Sequence, residues 1–260
     1  MKIVLIGAGR LATNLGVALR KAGHDIACVY SRTMASAQSL ATITGGEAVC
    51  DVSSIPSEAD VFVVAVKDGV LGDLLPQLAR GREQQLFVHT AGSMPMSLWQ
   101  GLTARHGVFY PMQTFSKERL VDFSEISVFL EASDEDTMRR LKQLAASLTT
   151  HVFELDSEGR KVLHLAAVFA CNFVNHCYAL SAEVLEQRGL PFSVMLPLID
   201  ETARKVHEMA PRDAQTGPAV RADANVMDMQ AAMLADRPLM EELYRKLSLS
   251  IQKQSTNNND

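Results

Sequence analysis

Short β-branched runs alternate with amphipathic stretches through the first 156 residues of the chain. Strand-like runs fall at Lys2–Ile6, Asp25–Tyr30, Ala48–Cys50, Val61–Val66, Leu86–Thr90, Val108–Tyr110, Ile126–Leu130 and His151–Leu155. Between them, apolar residues recur at helical spacing in Leu11–Ala22, Met34–Thr42, Val70–Leu78, Met96–Ala104 and Glu135–Ser147. Runs such as VFVVAV are apolar at consecutive positions, which requires burial on both faces, as in a parallel sheet covered by helices. The pattern predicts an α/β fold of Rossmann type, doubly wound around a mostly parallel sheet.

After Asp156 the strand pattern stops. A long helical run extends from Ser157 to about Arg188, and Gly189–Pro191 breaks it. A second helix follows to about Met209, then a loop containing PRDAQTGP, then helices near Asn225–Leu234 and Pro238–Gln252. The expected organisation is an α/β domain over residues 1–156 and a smaller all-α domain over 157–252. A polar tail over 253–260 is expected to be disordered. The first helix of the second half, LHLAAVFACNFVNHCYALSAEVL, is apolar nearly all round, so burial on most sides is expected.

Bulk properties narrow the class. The 260 residues are 47% hydrophobic and 21% charged, enough to bury a full core. A formal net charge of -5 argues against a nucleic-acid partner. Apolar runs are interrupted before the roughly 18 residues of a membrane span, so no membrane partner is expected. The chain opens directly into a strand pattern without the layout of a secretory signal. Its four cysteines lack CxxC or zinc-ligand spacing. These features predict a reduced, cytoplasmic protein without a metal.

The chemistry begins at the end of the first strand, with Gly7-Ala8-Gly9-Arg10-Leu11-Ala12. Gly7 permits the tight turn, Gly9 admits a pyrophosphate close to the backbone, and Ala12 allows the helix to pack close to the strand. The N–H groups at the helix start, with the macrodipole, favour an anion. A GxGxxA string alone is weak; here it follows a strand, opens a helix and leads to a second strand. That second strand ends in Ser31-Arg32-Thr33 with no carboxylate to hold a ribose 2′-hydroxyl. A guanidinium there suits a 2′-phosphate, which favours NADP over NAD. The competing reading makes Arg32 a solvated charge at a helix start. Val66 and Lys67 end a later strand and Thr90, Ala91 and Gly92 the next, positions where such sheets bind ligands. The small residues Ala91 and Gly92 would leave room for a nicotinamide ring, and Lys67 could equally be solvated.

The loop GAGRLA, the tip SRT and the strand end AVKD resemble the pyrroline-5-carboxylate reductase-like members of the 6-phosphogluconate dehydrogenase superfamily. The strings YPMQTF (Tyr110–Phe115), HLAAVFACNF (His164–Phe173) and TGPAVRAD (Thr216–Asp223) resemble a narrower group. Its members are NADP oxidoreductases with a C-terminal domain of unassigned function. The resemblance covers the chain to about residue 250. It implies a helical second domain that commonly dimerises, an active site between the domains, and hydride transfer with the cofactor. The group often has His where this chain has Tyr110, so the resemblance assigns that position no role.

Four polar residues interrupt the long helix: Lys161, His164, Asn172 and Asn175. At about 100° per residue they fall within roughly an 80° arc. A polar stripe on an apolar helix points to a hydrated cleft or a ligand. His164 is the candidate acid/base and Lys161 a second one; Asn172 would position substrate or the nicotinamide amide. In the alternative, His164 and the asparagines bond neighbouring backbone within an interface. Asn175, Thr216 and Arg221 are candidate substrate contacts, although Arg221 and Asp223 could simply pair. The expected function is hydride transfer between NADP(H) and a small carbonyl or imine substrate, or its reduced form, in a homodimer formed through the helical domain. The alternative is a non-catalytic NADP(H)-binding sensor or scaffold.

Overall fold

The computed structural model describes residues 1–256, and the chain forms two compact units, Met1–Cys171 and Asn172–Asp260. The first unit is built on eight strands: β1 (Lys2–Ile6), β2 (Asp25–Tyr30), β3 (Glu47–Val49), β4 (Val61–Val64), β5 (Leu86–His89), β6 (Arg105–Pro111), β7 (Val128–Ala132) and β8 (Val152–Glu154). Their order in the sheet is β3-β2-β1-β4-β5-β6-β7-β8. The first six are parallel, β7 runs antiparallel to β6, and β8 is parallel to β7. The chain therefore winds outward in both directions from β1, and the crevice at the β1/β4 switch opens above the carboxyl ends of these strands.

Helices α1 (Arg10–Lys21), α2 (Met34–Thr44), α3 (Leu71–Ala79) and α4 (Glu135–Ala146) connect the strands. Successive side chains of β1 point to opposite faces. Ile3 and Leu5 pack with Leu15, Leu19, Leu141 and Leu144 on one face of the sheet. Val4 and Ile6 pack with Leu71, Leu75, Phe87 and Trp99 on the other. Both faces of the sheet are covered, which is why VFVV of β4 is buried at all four positions.

Two expectations within this unit are corrected. The segment Met96–Ala104 forms only a single 3₁₀ turn, Met96–Trp99. Gly101 follows with φ +77, a left-handed conformation that ends helical winding, while Trp99 is drawn into the core against Phe87. The apolar spacing read as a helix is that of a turn anchored by one large side chain.

The long helical run begins as α5 (Ser157–Ala167), passes through π-helical Val168–Phe173, and continues in the second unit as α6 (Val174–Glu186). Within the single chain it is largely exposed, with Leu165 57% and Phe169 63% accessible, rather than buried all round. Its most apolar 18-residue window has mean hydropathy 1.3, so by length and composition it could cross a bilayer, contrary to expectation. Its first turns are tied into the sheet by a buried Arg160–Glu131 ion pair, which holds that end of the run inside the Rossmann unit.

The second unit continues with α7 (Leu196–Glu208), α8 (Ala224–Ala232) and α9 (Pro238–Thr256). Asp223 caps α8 by accepting from the Val226 N–H, and Arg245 of α9 pairs with Asp228 of α8. Helix α9 includes Lys253–Thr256, which the sequence had assigned to a disordered tail; residues 257–260 lie outside the described residues.

Candidate functional site

The turn from β1 into α1 forms a cradle. Gly7 has φ +117, and a Cβ on it would collide with the Ala65 carbonyl, so only glycine fits this turn. Its N–H donates to the Tyr30 carbonyl at 2.8 Å, which ties the loop to β2. Gly9 caps α1 through its backbone alone, with no side-chain bond to the first turn and no acidic residue within it. A Cβ on Gly9 would meet nothing within 4 Å. Uncapped N–H donors facing open space at a helix start are what a pyrophosphate requires, and the cradle fits one. Ala12 is fully buried and Leu11 packs on the core; Arg10 is exposed. The sequence missed Gly16, where a Cβ would lie 2.8 Å from the Leu5 side chain; it lets α1 lie close on β1 one turn beyond Ala12.

A cleft of about 460 Å³ continues from the cradle, lined by Gly7, Ala8, Gly9, Ser31, Arg32, Val66 and Lys67. Asp73 and Gln77 of α3 also line it. Among the described residues Arg32 and Lys67 have no carboxylate partner, so both cations remain available to an anion. Thr33 donates to the Ser36 hydroxyl at 2.9 Å at the start of α2. Thr90 is occupied structurally, with its N–H bonded to the Val64 carbonyl at 3.1 Å, and Ala91 is buried.

At Gly92 the space is not empty. A Cβ there would lie 2.6 Å from His164 Nδ1 and 2.9 Å from the Tyr110 ring. The missing side chain lets His164 and Tyr110 approach the Gly92 backbone closely. Tyr110, at the end of β6, brings its hydroxyl 3.2 Å from His164 Nδ1, and the rings meet edge-on. Burial raises the Tyr110 pKa above its ordinary value, so the phenol stays protonated.

His164 owes its position to the residue one turn before it. The Arg160 side chain is 1% exposed. It donates to Glu131 of β7 at 2.5 Å, to the Met94 carbonyl at 2.6 Å and to the Ser157 hydroxyl at 3.2 Å. Ser157 donates to Glu131 at 2.8 Å and accepts the Met96 N–H at 2.9 Å. This network joins β7, the loop after β5 and the start of α5. The same loop is braced by His89, which is fully buried. Its Nδ1 accepts the Ala91 N–H at 3.2 Å and its Nε2–H donates to the Pro95 carbonyl at 3.4 Å. Desolvation, with the nearby Arg160 charge, lowers the His89 pKa to about 4, so the ring is neutral. Ser93 donates to Asp68, which joins the loops after β4 and β5.

Lys161 and the candidates of the second unit are each described in their own surroundings. Lys161 is exposed and pairs with Glu158 at 2.7 Å. Asn172 and Asn175 are exposed residues of the second unit. Between His164 and Asn172 the chain winds as a π-helix over Val168–Phe173, with more residues per turn than the count of 100° per residue assumes. Thr216 and Arg221 are exposed in the loop before α8, and Asp223 caps that helix instead of pairing with Arg221. Sequence reasoning missed Tyr110, Arg160, Glu131 and His89. One signal was present: an arginine one turn ahead of His164 on an apolar helix must find a partner.

Comparison with known proteins agrees with this fold. Residues 1–113 match a family model described as a Rossmann-like domain, and residues 126–251 match one described as a domain of unknown function, DUF2520. A search of curated proteins finds no match. Among solved structures, the "putative NADP oxidoreductase" from Bacteroides fragilis is 54% identical, with TM-score 0.93, covering 97% of this chain and 98% of that one. A 1-pyrroline-5-carboxylate reductase from Streptococcus pyogenes shares the fold at 15% identity and TM-score 0.66, covering 98% of each chain. An imine reductase from Streptomyces aurantiacus does so at 13% identity and TM-score 0.65, over the whole of both chains. With more than half its residues shared over almost the full length of both proteins, the chain belongs to the same family as the Bacteroides fragilis protein, and within it carries a Rossmann-like domain followed by a DUF2520 domain.

Proposed function

We propose that this protein is an NADP-dependent oxidoreductase acting on a small carbonyl or imine, or on the corresponding reduced compound. The observation that carries the reading is the glycine cradle opening into a cleft whose β2 end offers Ser31 and an unpaired Arg32 in place of a carboxylate. The name of the 54% identical Bacteroides fragilis protein supports the same cofactor. The bound nicotinamide would exchange a hydride with the substrate carbon. The chain's own part is to hold the pyrophosphate on the first turn of α1, the 2′-phosphate at Arg32, and a proton at His164 Nε2 for the substrate oxygen or nitrogen. His164 and Tyr110 meet beside Gly92, beyond the carboxyl end of β5, where folds of this class place the reacting end of the dinucleotide. The four cysteines are free thiols, in keeping with a cytoplasmic protein.

Titrating the full-length protein with NADPH and NADH, followed by cofactor fluorescence, tests the assignment. NADPH is expected to bind at least about tenfold more tightly, on the scale of one charge-assisted phosphate contact. Arg32→Ala should remove most of that preference. Equal binding of the two cofactors, or a preference that survives Arg32→Ala, would overturn it.

The exposed apolar residues of the long helix, among them Val162 and Leu165, support a homodimer built on the helical half. Light scattering at micromolar concentration should return twice the 28.4 kDa chain mass. A monomer there would remove this part of the reading.

A further inference from the structure

We infer that Tyr110 is a positioning residue that fixes the tautomer of His164, so that the ring presents Nε2–H to the ligand and selects a hydrogen-bond acceptor, a carbonyl oxygen or an imine nitrogen. The inference deepens the functional reading above and rests on it for the identity of the ligand, but the tautomer itself does not depend on it.

The argument is a matter of donors and acceptors. A phenol that is largely buried needs an acceptor for its proton. Among the described residues the Tyr110 hydroxyl has one hydrogen-bond partner, His164 Nδ1 at 3.2 Å. A neutral imidazole carries one N–H and one lone pair. If Nδ1 held the hydrogen, the phenol O–H would be left without an acceptor, at the cost of an unsatisfied buried donor. The arrangement that satisfies both groups has Tyr110 donating to the Nδ1 lone pair, which leaves the ring hydrogen on Nε2. Nε2 has no partner among the described residues, and His164 is only partly buried, so that N–H is open to a ligand. The elevated pKa of Tyr110 keeps the phenol a donor. Gly92 beneath the pair leaves room for both rings, and Arg160 anchors α5 one turn earlier.

A ring that presents Nε2–H offers a hydrogen bond to an acceptor and nothing to a second donor. The site therefore matches the oxidised member of a substrate pair, C=O or C=N, better than a ligand that brings its own N–H to that point. Replacing Tyr110 by a residue that cannot donate would leave the two neutral tautomers free to mix.

The test reads the tautomer directly, by long-range ¹H–¹⁵N correlation NMR of the imidazole rings in the full-length protein without added dinucleotide. It is run at a pH where the ¹⁵N shifts have stopped changing with pH, with His164 assigned through its contacts to the Tyr110 ring. Expected is a pyridine-type shift at Nδ1 and a pyrrole-type shift at Nε2. Tyr110→Phe should move both shifts toward the average of a mixed tautomer population. A pyrrole-type Nδ1 in the unaltered protein, averaged shifts there, or unchanged shifts in a folded Tyr110→Phe variant would each overturn the inference. The unaltered protein decides by itself if the variant does not fold. Failure to bind NADPH would sink the cofactor assignment while leaving this result intact.

Discussion

Substituting Arg160 by methionine is expected to lower stability by about 3–5 kcal/mol, the range for breaking a buried ion pair from one side. The reason lies in what is left behind. The Glu131 side chain is 15% exposed, and its carboxylate would keep only the Ser157 hydroxyl. The Met94 carbonyl would lose its guanidinium donor as well. Methionine fills the volume but supplies none of these bonds. By contrast, Lys142→Met should change stability by no more than about 1 kcal/mol, because Lys142 and Glu154 are about half exposed and water replaces either partner. Urea denaturation of the two variants side by side checks the prediction. A loss below about 1 kcal/mol for Arg160→Met would mean that water reaches the pair. Arg160→Lys should fall between, since an ammonium keeps the charge but cannot span Glu131, Met94 and Ser157 at once.

The second large effect is an acid sensitivity centred on His89. Its pKa is lowered from 6.5 to about 4 in the folded chain, so between those values the unfolded state binds the proton and the folded state does not. Unfolding therefore becomes easier as pH falls through this window, and the contribution of the neutral ring is complete above about pH 6.5. The loss by pH 4 is on the order of 3 kcal/mol. His24, also shifted down by burial, contributes with the same sign, so the two must be separated by mutation. Asp134, held at about 2 by the Thr137 N–H, acts only at lower pH. Thermal unfolding followed from pH 7 to pH 4 should give a steep fall in Tm, and His89→Gln should flatten it. An unchanged slope in that variant would show that His89 is not the group responsible.

Much of the first unit was readable from local pattern. Strands β1 and β2 begin and end where the apolar runs do, and the glycine turn sits where the first run stops. Each depends on a few adjacent residues, and near-continuous burial leaves little choice of period. The segment Met96–Ala104 was misread because Trp99 and Leu98 are apolar for tertiary reasons: they pack on the sheet from a turn. The antiparallel β7 was also out of reach. Its direction follows from a return loop between residues 112 and 127 without a crossover helix, and which strand it pairs with is a non-local matter.

The site divides along the same line. That Gly7, Gly9 and Arg32 come together could be read from the chain, because the cleft they line is made from one turn and one strand tip. His164 could be singled out as a polar residue on an apolar helix. Its partner could not, since Tyr110 lies 54 positions earlier on another element. Gly92 was recognised as small, but that His164 and Tyr110 pack against it could not be read, for the sequence does not say what approaches a glycine from outside. The π-helical turn after Ala167 was not legible either, since a regular 100° count assumes α-helical winding throughout. The sequence by itself thus determined the Rossmann sheet, the glycine cradle and the cationic tip of β2, because burial period and turn chemistry act over a few residues. Only the tertiary structure decided that Arg160 is buried against Glu131 and that Tyr110 meets His164 over Gly92, because those contacts join segments brought together solely by packing.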